Sequence, residues 1–224
     1  WRALSGSRER LIASRTMLIN RVRGWLRTHA VTLPGRSCLT FPERVRLKMD
    51  GPDGMPAHVE RTLSAIEHLN ELIADMDREL QSIAKGNELL QRLMSVPGVG
   101  PVTAIRFVAA IDDIERFRNA HALQSYVGLT PGERSSGKRV CRTGITKAGP
   151  TALRAALVQA AWSARNSRKR RNDPMLRWMR GVEERRGKQV AAVALARKIA
   201  GILYAIWRDG TRYDASRGAD KSNG

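Results

Sequence analysis

Apolar residues recur along most of this chain at the three- and four-residue spacing of amphipathic helices. Leu4, Leu11, Leu18 and Trp25 stand seven apart, with Ile12, Val22 and Leu26 beside them, and Pro34-Gly35 closes the pattern. That spacing predicts a leading helix within 1–33, carrying a narrow apolar stripe. Its other faces hold Arg8, Arg10, Arg15, Arg21, Arg23 and Arg27, either a solvated surface or one turned to phosphate. Pro42, Gly51-Pro52 and Gly54 mark 34–56 as a loop-rich linker. The cleanest periodicity follows. Val59, Ile66, Ile73 and Leu80 fall seven apart, and Leu69, Met76 and Ile83 fill the second apolar position of each heptad. Residues 57–88 therefore read as a coiled-coil arm, joining copies through 59–83 or packing within its own subunit. Glu60, Glu67, Glu71, Asp75, Asp77 and Glu79 gather on it. Acidic surface repels DNA, so self-association or a spacer role is the expectation.

From Leu89 the texture changes. Leu90, Leu93 and Met94 lead into Val96-Pro97-Gly98-Val99-Gly100, and Val102, Ala104, Ile105 and Val108 follow. Helix, tight turn, helix is predicted, and the pattern resembles the helix-hairpin-helix motif. Gly98 and Gly100 would let the turn bare backbone N–H groups at a helix start, where a phosphate oxygen binds without any base being read. The alternative is a turn that needs glycine for geometry alone. Asp112, Asp113 and Glu115 sit at a helix end, where caps are common; they are read as caps or surface rather than metal ligands. Leu153, Ala156, Leu157, Ala160, Ala161 and Ala164 predict a helix with a small-residue apolar face. Ala192, Leu195, Ile199, Ile202, Leu203 and Ile206 predict a buried stripe on a final helix over 189–207. The fold class is mainly α: leading helix, arm, then a compact helical domain over 89–208 with a short β-ribbon across 138–146. A flexible tail over 209–224 ends the chain.

Charge changes the picture. In 224 residues, 40 Lys and Arg face 21 Asp and Glu, a formal net charge of +19. With 42% hydrophobic residues the composition excludes a disordered or collagen-like chain. A surplus of that size points to a polyanionic partner, with nucleic acid the default and double-stranded DNA the partner expected. A basic membrane-surface protein would concentrate its charge on one helix, and Arg197-Lys198 interrupts the most apolar stretch, Val190 to Trp207. No membrane partner is expected. Cys38 and Cys141 have no ligand spacing around them, so neither a disulfide framework nor a metal site is indicated. No signal peptide is evident, and a cytoplasmic location is expected.

The candidate chemistry lies between Tyr126 and Arg154. This Gly-, Ser- and Thr-rich segment carries Arg134, Lys138, Arg139, Arg142, Lys147 and Arg154 against a single acid, Glu133. Composition alone describes a phosphate-binding loop. A serine there would have a hydroxyl for attack on phosphorus and guanidinium groups to stabilise the oxygens. A second basic run, 165–171, leads to Trp178 among further arginines and reads as a nucleic-acid track. The tryptophan itself is read as core rather than as a stacking platform for bases.

The ordered motifs of 93–165 resemble the C-terminal domain of the bridge-RNA-guided insertion-sequence transposases, a family that includes the Piv-type invertases. They are Val-Pro-Gly-Val-Gly-Pro at 96–101, Gly128-Leu129-Thr130-Pro131, Ser-Ser-Gly at 135–137, Ile-Thr-Lys-Ala-Gly at 145–149, Leu153-Arg154 and Ala160-Ala161-Trp162. Arg15-Thr-Met-Leu-Ile-Asn-Arg21 is similar to the family's connecting helix, and 59–90 to its coiled coil. The resemblance implies a recombinase that cuts and rejoins DNA, working as an oligomer with a guide RNA. It implies a serine nucleophile, carried onto Ser136 with Ser135 as the neighbouring candidate. It also implies an RNase-H-like domain whose Asp-Glu-Asp-Asp set holds Mg2+. The chain opens where the family places the helix after that domain, and no equivalent carboxylate spacing follows. The expectation is thus a C-terminal part that binds DNA, holds no cofactor of its own and does not complete metal-dependent strand transfer alone. The rival expectation is a non-catalytic nucleic-acid-binding module built on the helix-hairpin-helix turn.

Overall fold

The structure, a computed structural model, describes residues 1–35, 37–49, 55–136 and 139–216; the side chains of 133–143 and of Lys169 lie outside what it describes. The architecture is mainly helical, with one two-stranded sheet, and the chain divides into two compact units, Ala3–Glu79 and a second comprising Trp1–Arg2 with the residues from Leu80 onward.

In the first unit, α1 (Arg2–Thr28), α2 (Phe41–Lys48) and α3 (Ala57–Lys85) follow one another. Arg8 pairs with Asp77 at 2.6 Å, and the Arg15 guanidinium donates to Asn70 Oδ1 at 2.9 Å. Early α1 thus meets late α3, and the two run antiparallel. Ile19, Val22, Leu26, Phe41, Val45, Val59, Leu63 and Ile66 form one buried cluster. The expected zipper face of 59–83 is therefore largely filled from within the subunit: Val59, Leu63 and Ile66 are 3% exposed or less. Leu63, outside the predicted heptad, is buried because α2 widens the face that α3 must cover. The linker expected at 34–56 contains α2, which is a correction. Pro42 reads as a breaker but occupies the first turn of α2, where a missing N–H costs nothing. Arg46 then forks between two carboxylates of α3, at 2.6 Å from Glu60 and 2.5 Å from Glu67, which holds the Glu67 carboxyl below its ordinary range. The acids on this stretch of α3 thus serve as internal partners for Arg8 and Arg46.

The second unit is built around α9 (Lys188–Asp209). It packs against α4 (Glu88–Leu93), α6 (Ala120–Tyr126), α7 (Thr151–Asn166) and α8 (Pro174–Arg186). By length and composition α9 could cross a membrane, yet Leu195, Ile199 and Leu203 are fully buried among the neighbouring helices. Asn87, Asn119 and Asp173 cap α4, α6 and α8 through their side-chain oxygens. Asp113 caps a short 3-10 turn at Ile114–Arg116, accepting from the Glu115 N–H at 2.9 Å. The tail expected to be flexible from 209 is tied down at Tyr213, again a correction. Its N–H donates to Ser95 Oγ and its hydroxyl to Asp173 Oδ1, each at 2.8 Å. Burial, reinforced by Asp173, pushes that phenol well above its usual range. Residues 217–224 lie outside the described residues.

Between α4 and α5 (Pro101–Ile111) the predicted turn is present. Gly98 has a φ of +83°, and a Cβ there would strike the carbonyl oxygen of Ala160 and the backbone N of Ala164. The small-residue face of α7 exists to receive this turn: Ala156, Ala160, Ala161 and Ala164 are all buried. Gly100 is different. It stands before α5 in an extended conformation, with open space where a Cβ would sit. Gly98→Ala should therefore lower stability by about 2–4 kcal/mol, and Gly100→Ala by under about 1 kcal/mol, as read from urea unfolding. Equal effects would mean the turn does not seat on α7. A second outcome concerns pH. Arg165 grips Glu183 through two hydrogen bonds, at 2.8 and 2.6 Å, and holds its carboxyl below the ordinary glutamate range. A depressed folded-state pKa gives stability that is present above the unfolded value and lost as pH falls. Glu183→Gln should accordingly flatten the fall in stability on acidification below about pH 4.5, measured by unfolding at stepped pH.

Candidate nucleic-acid interface

The expected ribbon is a hairpin. Strand β1 (Pro131–Ser136) pairs antiparallel with β2 (Arg139–Ile145), with a register shift near Glu133, so the ribbon begins seven residues before the predicted start at 138. Its base is locked by the two loops that carry the recognisable motifs. The Thr146 N–H donates to the Thr130 carbonyl at 3.0 Å, and the Lys147 N–H to the Gly128 carbonyl at 3.2 Å. Gly149, with a φ of +72°, lies so close to the Tyr126 carbonyl that a Cβ could not be accommodated. Arg154 completes the lock. Its guanidinium donates to the carbonyls of Val127 at 3.1 Å and Ala148 at 2.8 Å, and to Thr151 Oγ1 at 3.2 Å. Arg154, expected to meet nucleic acid, thus fixes the hairpin base with those contacts. Lys147 stands exposed on the same loop.

In the ladder, Ser136 is the Cα partner of Arg139, Ser135 of Val140, Arg134 of Cys141 and Glu133 of Arg142. The backbone register brings both candidate serines and three candidate cations onto one short hairpin, with Ser136 at the end of β1. The side chains of Arg134, Ser135, Ser136, Arg139 and Arg142 lie outside the described residues, as does Lys138 entirely.

The other expected elements separate into engaged and open groups. Arg165 is taken by Glu183 and lies over the Trp162 ring. Arg168, Arg170, Arg171, Arg177, Arg185 and Arg186 are exposed. Arg170 lines a recess of about 280 Å3 together with Gly98, Gly100, Ser163 and Ser167, so the turn and the basic run share one surface. Gly98 itself serves packing. Trp178, read as core from the sequence, is 40% exposed; this is a correction, and the cause is that Met175, Leu176 and Met179 supply the buried face of α8. Sequence reasoning also missed Gln124, which accepts from Arg197 Nε at 3.0 Å and donates to the Arg197 carbonyl at 3.0 Å, joining α6 to α9. The only signal for it was a charged pair inside an apolar helix. As for Mg2+, no group of three or more His, Cys, Asp or Glu among the described residues could hold a metal ion. Asp113 is occupied as a cap, so these residues do not fit one.

Residues 90–176 match the family model described as Transposase IS116/IS110/IS902 family. The chain is 37% identical over 209 residues to a transposase for insertion sequence element IS1111A of Coxiella burnetii, covering 91% of this chain and 57% of that protein. It is 33% identical over 213 residues to a probable family 20 transposase of Pseudomonas aeruginosa, covering 92% and 62%. A pilin gene-inverting protein of Moraxella bovis is 29% identical over 155 residues, covering 66% and 47%. The chain thus spans about three fifths of the length of the first two of these curated relatives. Residues 90–176 are thus similar to the IS116/IS110/IS902 transposase domain, and the chain as a whole is similar to insertion-sequence transposases and, over part of its length, to a gene-inverting protein.

Proposed function

We propose that this chain is the DNA-binding, strand-joining part of a transposase, with Ser136 as nucleophile. The observation that carries the proposal is the locked base of the hairpin, since a serine can attack phosphorus productively only from a support of fixed geometry. The register sets Arg139 across the ladder from it, a cation suited to the phosphoryl oxygens. In the step itself, Ser136 Oγ forms a bond to phosphorus while a bond from phosphorus to a sugar oxygen breaks. The departing sugar oxygen takes a proton as the serine loses one, and a second strand's hydroxyl reverses the step to join DNA. Asp-Glu-Asp-Asp chemistry with Mg2+ would fall to residues other than those described. Duplex DNA, and a guide RNA as a second polyanion, are the proposed partners of the +19 surplus. Self-association through 59–83 would have to use the outer edge of α3, where Leu72 is 36% exposed.

In a transposition-competent protein carrying this sequence, Ser136→Ala should abolish joining and the covalent protein–DNA adduct seen on denaturing gels, with duplex affinity near normal. An adduct that survives Ser136→Ala but disappears in Ser135→Ala moves the role to Ser135. Joining retained in both variants favours the non-catalytic module instead. Lys147→Ala should weaken duplex binding equally across sequences and reduce the slope of log affinity against log salt by about 1. An unchanged slope would remove Lys147 from the interface.

A further inference from the structure

A groove of about 790 Å3 in the second unit lies between the base of the hairpin, α8 and α9, and strand joining at Ser136 makes no use of it. Its size is that of a site for a compact planar ligand. The walls are apolar, formed by Leu129, Ile145, Val190, Val193 and Trp178. Trp178 is 40% exposed and Val190 50%, while Met175, Leu176, Met179, Ala191 and Leu195 on the same two helices are 3% exposed or less. Among the described residues, every charged side chain lining the groove is a cation: Arg186, Arg197 and Lys198. The Lys198 ammonium sits 4.4 Å from the centroid of the Trp178 ring and is half-buried. No carboxylate among the described residues lies within ion-pair distance of it, and burial lowers its pKa against the weaker pull of Asp173. Arg197 is held in place by Gln124.

A groove with an aromatic wall at Trp178, an apolar interior and described charges that are all cationic fits a ligand with a planar face and an attached anion. That description is a nucleotide, and specifically one whose base is free of its partner, because a base inside a duplex has its faces stacked and its edge paired. An apolar peptide would leave three cations without a counter-charge. We propose that this groove is a subsite for an unpaired nucleobase of the bound DNA, packed against Trp178 and Val190, with its phosphate held by Arg186, Arg197 and Lys198. The subsite rests on the nucleic-acid function argued above and extends it. Gly144 and Ile145 line the groove and belong to β2, so the captured base would lie at the foot of the hairpin that bears the serine. Strand exchange requires locally unpaired strands, and the groove would hold one open there.

The test uses the whole chain and two labelled duplexes, one fully paired and one with a single unpaired 2-aminopurine. The protein should bind the second about tenfold more tightly, the scale of one aromatic–base stack, and quench the 2-aminopurine. Trp178→Ala and Val190→Glu, both at exposed positions, should lose the preference and the quenching while keeping paired-duplex affinity within about twofold; Trp178→Phe should retain part of both. Paired and unpaired probes bound equally by the unaltered protein would overturn the subsite and leave DNA binding standing. Failure to bind either probe would overturn DNA binding itself. A preference for the unpaired probe that both variants keep would place the base elsewhere and equally overturn the proposal. So would a particle mass in sedimentation that falls in Trp178→Ala without any probe preference, since the groove would then be covered by a second copy.

Discussion

The second unit depends on a crossing of two backbones at Gly149. There the loop after β2 runs over the Tyr126 carbonyl at a distance no side chain permits, with the hydrogen bonds from Thr146 and Lys147 on one side and the Arg154 guanidinium on the other. Hairpins of two strands are marginal by themselves. This one is anchored at both ends of its base to a helical core, which explains why the Gly-Leu-Thr-Pro and Ile-Thr-Lys-Ala-Gly motifs occur together although thirteen residues of chain separate them. One motif supplies acceptors, the other donors and the missing Cβ.

A net charge of +19 would be a uniform burden if every cation stood free, and the structure sorts them. Arg8 and Arg46 answer carboxylates of α3 within the first unit, and Arg165 answers Glu183 in the second. These pairs are partly exposed, so their worth lies more in fixing which surfaces meet than in raw stability. The arginines left exposed at 168, 170 and 171 adjoin the recess by the Gly98 turn, and those of α8 lead toward the groove beside Trp178. Internal pairing thus removes cations from the packing surfaces and leaves a cationic surplus on the second unit.

Much of the fold was legible because it is local. The heptads of 59–83 dictate a long helix whatever covers them, and the small residues of α7 and the stripe of α9 mark buried faces directly. Two kinds of feature were not legible. A short helix such as α2 has too few residues for periodicity to outweigh Pro42, and its reason for existing is the long-range fork of Arg46 into Glu60 and Glu67. Tyr213 likewise looks like part of a polar tail until Ser95 and Asp173, distant in sequence, are brought beside it.

At the candidate site the division is the same. The order of glycines, hydroxyls and cations between 126 and 154, and with it the kinship of 90–176, is a property of the chain as written, because covalent spacing alone brings those groups onto one loop and hairpin. What Arg154 touches, that Gly98 seats against α7, and that Trp178 lines an open groove are decided only when helices pack. The physical reason is that a side chain's role follows from which partners its element meets, and the deciding ones, Val127 for Arg154 and Ala160 for Gly98, lie tens of residues away, beyond the reach of any periodicity.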